Sequence, residues 1–227
     1  MAIRLQNTAH LANANGIKCL VYGESGVGKT RLISTAPRPV VISAESGLLS
    51  LRKFQIPYIS INNFKDFEEA YLWIMKSVEM KQFDTICLDS ISEIAEVVLS
   101  DLKAKNKDAR KAYGEVQDSM LDMIRNFRDI PQKHVYFSAK QDMVKDGTTG
   151  AIYFGPMMPG QKLPVAVPYF FDELFQLIVY VDPATNTEVR AIRTRKDNQF
   201  QAKDRSGSLE AWEPANLTDI FNKIAKG

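Results

Sequence analysis

The chain has 227 residues, enough for one domain or for one with a modest appendage. Its 45% hydrophobic and 25% charged residues suit an ordinary globular core. A net charge of +2 excludes bulk charge as a means of attracting nucleic acid, so any such role falls to local basic patches. No apolar run approaches the ~20 residues of a membrane span; the longest candidate, 163–181, is broken by Pro164, Pro168, Asp172 and Glu173.

Residues 1–16 are polar and rich in Asn and Ala, and lack the basic-then-apolar pattern of a signal peptide. They read as a flexible N-terminal arm, and 17–227 as a single core domain. Residues 17–22 form a short apolar run that predicts a buried strand. It leads into Gly23-Glu24-Ser25-Gly26-Val27-Gly28-Lys29-Thr30, which fits G-x-x-x-x-G-K-[ST], the phosphate-binding P-loop. Glycines let such a loop curl so that its N–H groups face phosphate oxygens. A helix continues through Arg31 until Pro37 stops it, its positive end toward the same anion. Gly23, Glu24, Ser25, Gly26, Val27, Gly28, Lys29, Thr30 and Arg31 are therefore the candidate nucleotide-binding segment. Lys29 would reach the β- and γ-phosphates and the Thr30 hydroxyl would sit on Mg²⁺, so ATP and Mg²⁺ are the expected cofactors.

Residues 40–42 read as the second strand, with Glu45 just past its carboxyl end, where ligands gather in such sheets. Glu45 is the candidate general base that orients water; the alternative is a solvated loop acid. Residues 56–61 read as a short strand, and 64–80 as a helix with Phe64, Phe67, Tyr71, Ile74, Met75 and Val78 on its stripe. Strand 85–88 ends at Asp89, the natural carboxylate partner of the metal. The alternative is that Asp89 caps the helix beginning at Ile91. That helix, 91–105, carries Ile91, Ile94, Val98 and Leu102 on one face and runs into Lys103, Lys105, Lys107, Arg110 and Lys111. A second helix covers 115–129. Strand 134–138 follows, ending at Ser138-Ala139-Lys140-Gln141, where Gln141 is preferred over Lys140 as the group that senses the γ-phosphate. His134, at the opposite edge, reads as structural. Cys19 and Cys87 fall in buried strands as free thiols, which suits a reducing compartment.

Residues 140–168 carry many Gly and Pro and few helix signals, so a long loop, functional or disordered, is expected. It holds Lys140, Lys145 and Lys162, with Tyr153 and Phe154 and, just beyond, 169–171. Basic groups with aromatic faces suit single-stranded nucleic acid, and Lys145, Tyr153, Phe154 and Lys162 are the candidates for it. Phe170 and Phe171 are assigned to the core at the start of the next strand. Residues 174–181 and 188–194 predict a hairpin. Arg193 and Arg195 share a face by alternation, and with Lys196 they are candidates for reaching a neighbouring subunit's nucleotide. The alternative is a basic edge strand that discourages aggregation. A helix at 217–225 closes the chain. Strands alternating with helices predict an α/β fold, a mainly parallel sheet covered on both faces.

The P-loop, Ala44-Glu45-Ser46-Gly47, Leu88-Asp89-Ser90 and Ala139-Lys140-Gln141 together resemble the core of RecA-type recombinases. More closely, residues 17–225 resemble short phage-encoded ATP-binding proteins of the RecA-like, core-only kind, through Tyr113-Gly114, the Pro159-Gly160-Gln161-Lys162-Leu163-Pro164 run, Phe171-Asp172-Glu173 and Ala202-Lys203-Asp204-Arg205. Some of these act as single-strand annealing proteins. The resemblance implies a RecA-like P-loop NTPase that hydrolyses ATP with Mg²⁺. Glu45 would activate water and Gln141 would link nucleotide state to a DNA-binding loop. It also implies single-stranded DNA as a partner, a homo-oligomeric ring or filament, a single-strand DNA-binding protein as a further partner, and a cytoplasmic site of action in a bacterial host. The family's larger members carry a helix-rich N-terminal domain; 1–16 is too short for one, which disfavours strand exchange and leaves annealing or simple binding of single strands open. Rival readings are a helicase loader or motor, a nucleotide-gated scaffold with negligible turnover, and a small-molecule kinase, against which stands the lack of an arginine-rich lid.

Overall fold

The computed structural model describes residues 15–45, 48–105, 109–145, 147 and 149–227, with the backbone alone described at 109, 110 and 112. Nearly all of the expected arm, Ser46-Gly47, Lys107 and the Arg110 side chain lie outside the described residues.

Ten strands form the sheet: β1 (Lys18–Gly23), β2 (Pro39–Ser43), β3 (Tyr58–Ser60), β4 (Thr85–Asp89), β5 (His134–Lys145), β6 (Ile152–Pro156), β7 (Glu173–Asp182), β8 (Thr187–Arg193), β9 (Lys203–Asp204) and β10 (Trp212–Pro214). Their order is β10-β8-β7-β1-β5-β4-β2-β3, with β6 on β5 and β9 on β7. From β3 to β7 the path is parallel, and β8 and β10 close one edge antiparallel. The helices are α1 (Lys29–Leu32), α2 (Phe64–Lys76), α3 (Ile91–Lys105), α4 (Ala109–Arg128), α5 (Leu163–Ala166) and α6 (Leu217–Lys226).

Period-2 alternation divides the core into two layers. Leu20 and Tyr22 of β1, Val40 and Ile42 of β2, and Ile86 and Leu88 of β4 face α2, α3 and α4, where Phe67, Ile94, Val98, Ile124 and Phe127 meet them. Cys19 and Val21, Val41 and Cys87 face the other way, onto Leu32, Ile33, Leu217, Ile220 and Phe221. Strands buried on both faces are the reason these runs read as continuously apolar. The expected α/β architecture follows: a mainly parallel sheet with helices on both faces. Both cysteines are buried free thiols, and no helix among the described residues is long and apolar enough to cross a membrane.

Three expectations change. α2 stops at Lys76, because extended Ser77 accepts the Glu79 N–H and starts a separate 3-10 turn; Val78, expected on the stripe, is exposed. α4 begins at Ala109 and carries Gly114 in its interior, at a helix cost of about 1 kcal/mol that its packing offsets. The expected long loop is mostly ordered. β5 runs on past the sheet to Lys145 and turns back as β6, in register Gln141↔Pro156 to Lys145↔Ile152. This ribbon runs beyond the end of β1, with Val144 buried but Met143, Lys145 and Ile152 exposed, and lacks the apolar alternation that marks core strands.

His134 is structural, as expected. Its Nδ1 accepts the Ile17 N–H at 3.1 Å and its ring stacks on Phe221 at 4.4 Å. Phe171 is fully buried and Phe170 packs against the core beneath Arg125 and Arg128.

The sheet also buries a carboxyl. Glu173 opens β7 opposite Asp204 of β9, is only 2% exposed, and has an Oε2 with no hydrogen-bond donor to satisfy it as an anion. Burial first, then the Asp204 charge, pushes its pKa up from 4.5 to about 8. Between those values the native chain holds a proton that the unfolded chain has lost, so this group lowers stability as pH rises from about 4.5 to 8 and adds no slope above. Glu173→Gln should flatten that decline and raise the thermal midpoint at pH 8 relative to wild type by a few degrees, at roughly 2–4 °C per kcal/mol for a chain of this size. Midpoints scanned from pH 5 to 9 check this; equal slopes in both proteins would refute it.

Candidate functional site

The parallel strands deliver their chemistry to one edge. β1 ends at the P-loop, β2 just before Glu45, β4 at Asp89, and β5 passes Ser138, Lys140 and Gln141. Lys29, Thr30, Glu45, Asp89, Glu93, Lys140 and Gln141 line one cavity of about 570 Å³, with Gly23, Ser25, Gly26, Gly28 and Arg31 on its P-loop wall. This is the carboxyl edge at which ligands bind in open α/β sheets.

The loop's shape depends on left-handed backbone at Gly26 (φ 77) and Gly28 (φ 107), which side chains with a Cβ rarely adopt. For the N–H groups to face inward, the carbonyls must find partners elsewhere. Lys29 Nζ donates to the Gly23 and Glu24 carbonyls, both at 2.8 Å. The Leu32 N–H donates to the Gly28 carbonyl at 2.9 Å, and the buried Tyr136 hydroxyl to that of Lys29 at 2.9 Å. Arg190 Nε donates to the Val27 carbonyl at 3.1 Å. α1 is a single turn continued by a 3-10 turn to Thr35, so attraction for an anion rests on the loop's amides and on Lys29 more than on a long helix dipole.

Thr30 Oγ1 donates to Asp89 Oδ2 at 2.6 Å, and Ser138 donates to the other carboxylate oxygen. Asp89 is 1% exposed, and burial first raises its pKa, with the hydrogen bonds from Ser138 and Thr30 acting against it. A cation beside it would supply the charge that its surroundings withhold. Hydroxyl and carboxylate oxygens in direct contact are a hard donor pair that suits Mg²⁺. The Lys29 pKa is lowered, first by burial, while Asp89 and Glu45 oppose that shift. Glu45 is held at two points: its N–H donates to Ser43 Oγ at 3.0 Å, and Ser90 Oγ donates to its Oε1 at 2.9 Å.

Alternation along β5 sorts the two residues considered as sensor. Lys140 lies two positions after Ser138, on the Asp89 side, and is ion-paired with Glu93. Gln141 lines the cavity too, but its Oε1 accepts from Gln176 Nε2 at 3.1 Å. The Lys140 backbone is also tied down. Its N–H donates to Ser92 Oγ at 2.9 Å, its carbonyl accepts from the Met157 N–H at 2.7 Å, and Ser92 Oγ donates to the Met157 carbonyl at 2.6 Å. Glu93 was not singled out by sequence, Ser90 and Ser138 stood only within motif stretches without a role, and Lys140 was passed over for Gln141. The signal available was a polar residue at a strand end beside an assigned acid.

The remaining candidates lie outside this cavity. Arg193 is paired with Asp197 and sandwiched between Phe200 and Trp212, with 5.1 and 4.5 Å to the ring centroids. Arg195 and Lys196 are exposed, with Arg195 Nη2 3.5 Å from the Leu209 carbonyl. Phe154 stacks on Phe200 at 5.1 Å and Tyr153 is half-buried. Lys145 and Lys162 line a second groove of about 730 Å³ between the β5–β6 ribbon and α5, with Tyr169, 72% exposed, and Met143, 62% exposed. Met157 lines both cavities.

A family profile described as an AAA domain (AAA_24) matches residues 15–206, from the start of the described core past the last candidate basic residue. The chain belongs to this AAA-domain family. A comparison with curated proteins finds no match. Among solved structures, this AAA-domain chain is similar to a KaiC-like protein, PH0186, of Pyrococcus horikoshii OT3, at 13% identity, covering 80% of this chain and 79% of that one, with a TM-score of 0.41. It is similar to the flagellar accessory protein FlaH of Methanocaldococcus jannaschii, at 12% identity, 88% and 87% coverage and a TM-score of 0.46. It is similar to the RadB recombinase, at 17% identity, 79% and 80% coverage and a TM-score of 0.45. Family and motif together make the AAA-domain chain an ATP-binding P-loop protein.

Proposed function

We propose that the chain is a Mg²⁺-dependent ATPase that acts on single-stranded DNA in phage recombination or replication, as a single-strand annealing protein. The observation that carries this reading is Met157, which walls both the nucleotide cavity and the neighbouring groove, next to the tied backbone of Lys140.

Lys29 leaves the Gly23 and Glu24 carbonyls for the β- and γ-phosphates, and the loop amides hold the oxygens that remain. Thr30 and Asp89 would hold Mg²⁺, which would neutralise triphosphate charge. Glu45, fixed by Ser43 and Ser90, accepts a proton from the attacking water as the water oxygen bonds to the γ-phosphorus and the bond from that phosphorus to the β–γ bridging oxygen breaks, so that ADP leaves. Lys140 turns from Glu93 toward the γ-phosphate, and Gln141 stands behind it. Any shift of Lys140 is felt at Met157, and so at the groove. There Lys145 and Lys162 meet backbone phosphates and Tyr169 offers a face to a base, a contact worth ~1–3 kcal/mol. Phe154, covered by Phe200, supports the ribbon, and Tyr153 sits at its side. Lys196, exposed, and Arg195, on releasing the Leu209 carbonyl, would approach a neighbour in a homo-oligomeric ring or filament, whereas Arg193 would first have to leave Asp197. A single-strand DNA-binding protein is a further partner, and the host cytoplasm is the site of action.

The test is the ATPase rate with and without single-stranded DNA at two salt concentrations. DNA should stimulate turnover, and binding should weaken steeply with salt. Lys145→Ala and Lys162→Ala should each lower the logarithmic salt slope by about one, and Tyr169→Ala should weaken binding ~5- to 100-fold. Turnover that ignores DNA, with no binding at low salt, would refute the DNA reading. Transfer of phosphate to a small acceptor would replace it with a kinase.

A further inference from the structure

We propose that Arg190 is a positioning residue for nucleotide binding, a strap from the β7–β8 hairpin that holds the P-loop from outside. This rests on the nucleotide reading of the same loop.

The register explains how a residue so distant in sequence arrives there. β7 pairs with β1 only from Cys19↔Glu173 to Tyr22↔Gln176, and then continues beyond the end of β1. β8 returns beside this overhang, with Arg190 opposite Val179. Two residues on, Ile192 lies on the same face and is buried in the layer that also holds Val27 and Leu177. The hairpin is thus anchored against the underside of the loop, and Arg190 reaches its backbone. Nε donates to the Val27 carbonyl at 3.1 Å. A Cβ at Gly28 would lie 2.8 Å from that same Nε, so the arginine occupies the space that a side chain at Gly28 would take.

The consequence concerns direction. A phosphate cradle works only while its carbonyls point away from the anion. Two of the loop's carbonyl partnerships belong to Lys29, which must give them up when phosphate arrives. Arg190 does not line the cavity and gives up nothing. It holds the Val27 carbonyl outward in both states, with a charged donor that is worth more than a neutral one. Without it, the Val27–Gly28 peptide is free to rotate, and the cradle must be reordered at each binding event.

The experiment titrates wild type, Arg190→Ala, Arg190→Lys and Lys29→Ala with a fluorescent ATP analogue in Mg²⁺, and records each ligand-free thermal midpoint. Arg190→Ala should bind ~5- to 20-fold more weakly, with its ligand-free midpoint unchanged. Arg190→Lys, which keeps a charged donor of similar reach, should recover most of the loss. Wild-type binding matched by Arg190→Ala would overturn the strap and leave the nucleotide reading intact. A weakened Arg190→Ala whose midpoint also falls, with no rescue by lysine, would overturn it in favour of a role in folding. Binding absent in wild type would remove the nucleotide reading, and the strap with it.

Discussion

Lys29→Ala should reduce affinity for Mg·ATP by ~10²- to 10⁴-fold while leaving the fold intact. The side chain is half-exposed and its hydrogen bonds go only to the Gly23 and Glu24 carbonyls, so the ligand-free chain loses little by its removal. The nucleotide loses two charge-assisted contacts, each worth roughly 1.5–3 kcal/mol. Half-buried, and with its charge favoured by Asp89 and Glu45, Lys29 is placed to gain when a polyanion enters. Calorimetry of both proteins, with circular dichroism to check the fold, measures the difference. Affinity within 3-fold of wild type would show that triphosphate does not sit against this lysine.

Glu45→Gln separates binding from chemistry. Glutamine keeps the size and can still accept from Ser90, so the cavity wall persists. What is lost is a carboxylate able to take a proton from water, a contribution of ~10²–10⁴-fold. The expected pattern is affinity within about 2-fold of wild type and turnover reduced by two orders of magnitude or more. If turnover persists, Glu45 is a wall residue and another base, with Glu93 nearest at hand in the cavity, carries the reaction. If wild type itself shows no turnover, the scaffold reading replaces the enzyme.

How much of this was legible depends on what each residue answers to. The P-loop, Asp89 and Glu45 could be assigned because each sits where a short apolar run ends, and such runs are the plainest signal of a buried parallel strand. The two-layer core followed for the same reason. The strand end at Lys140 and Gln141 was harder. Which of the two lies on the Asp89 side depends on the phase of β5, and that phase is set by Ser138 facing Asp89, a contact between separate strands. The β5–β6 ribbon escaped because it leaves the core, and its residues answer to each other and to solvent instead of to an apolar layer. Gly114 hid the first turns of α4 because glycine is a breaker only where packing does not override it. Arg190 drew no assignment from the sequence. Its contact with Val27 comes from how far β7 overshoots β1, a length that no local pattern encodes.

The account stands on residues 23–30 enclosing a triphosphate, with a metal between Thr30 and Asp89. Crystals grown with Mg²⁺ and a non-hydrolysable ATP analogue test that directly. The expected density shows phosphates inside the loop, Lys29 Nζ moved from the Gly23 and Glu24 carbonyls onto them, and a cation in place of the 2.6 Å hydrogen bond between Thr30 and Asp89. A saturated crystal with the nucleotide bound elsewhere, and that hydrogen bond unbroken, would contradict it.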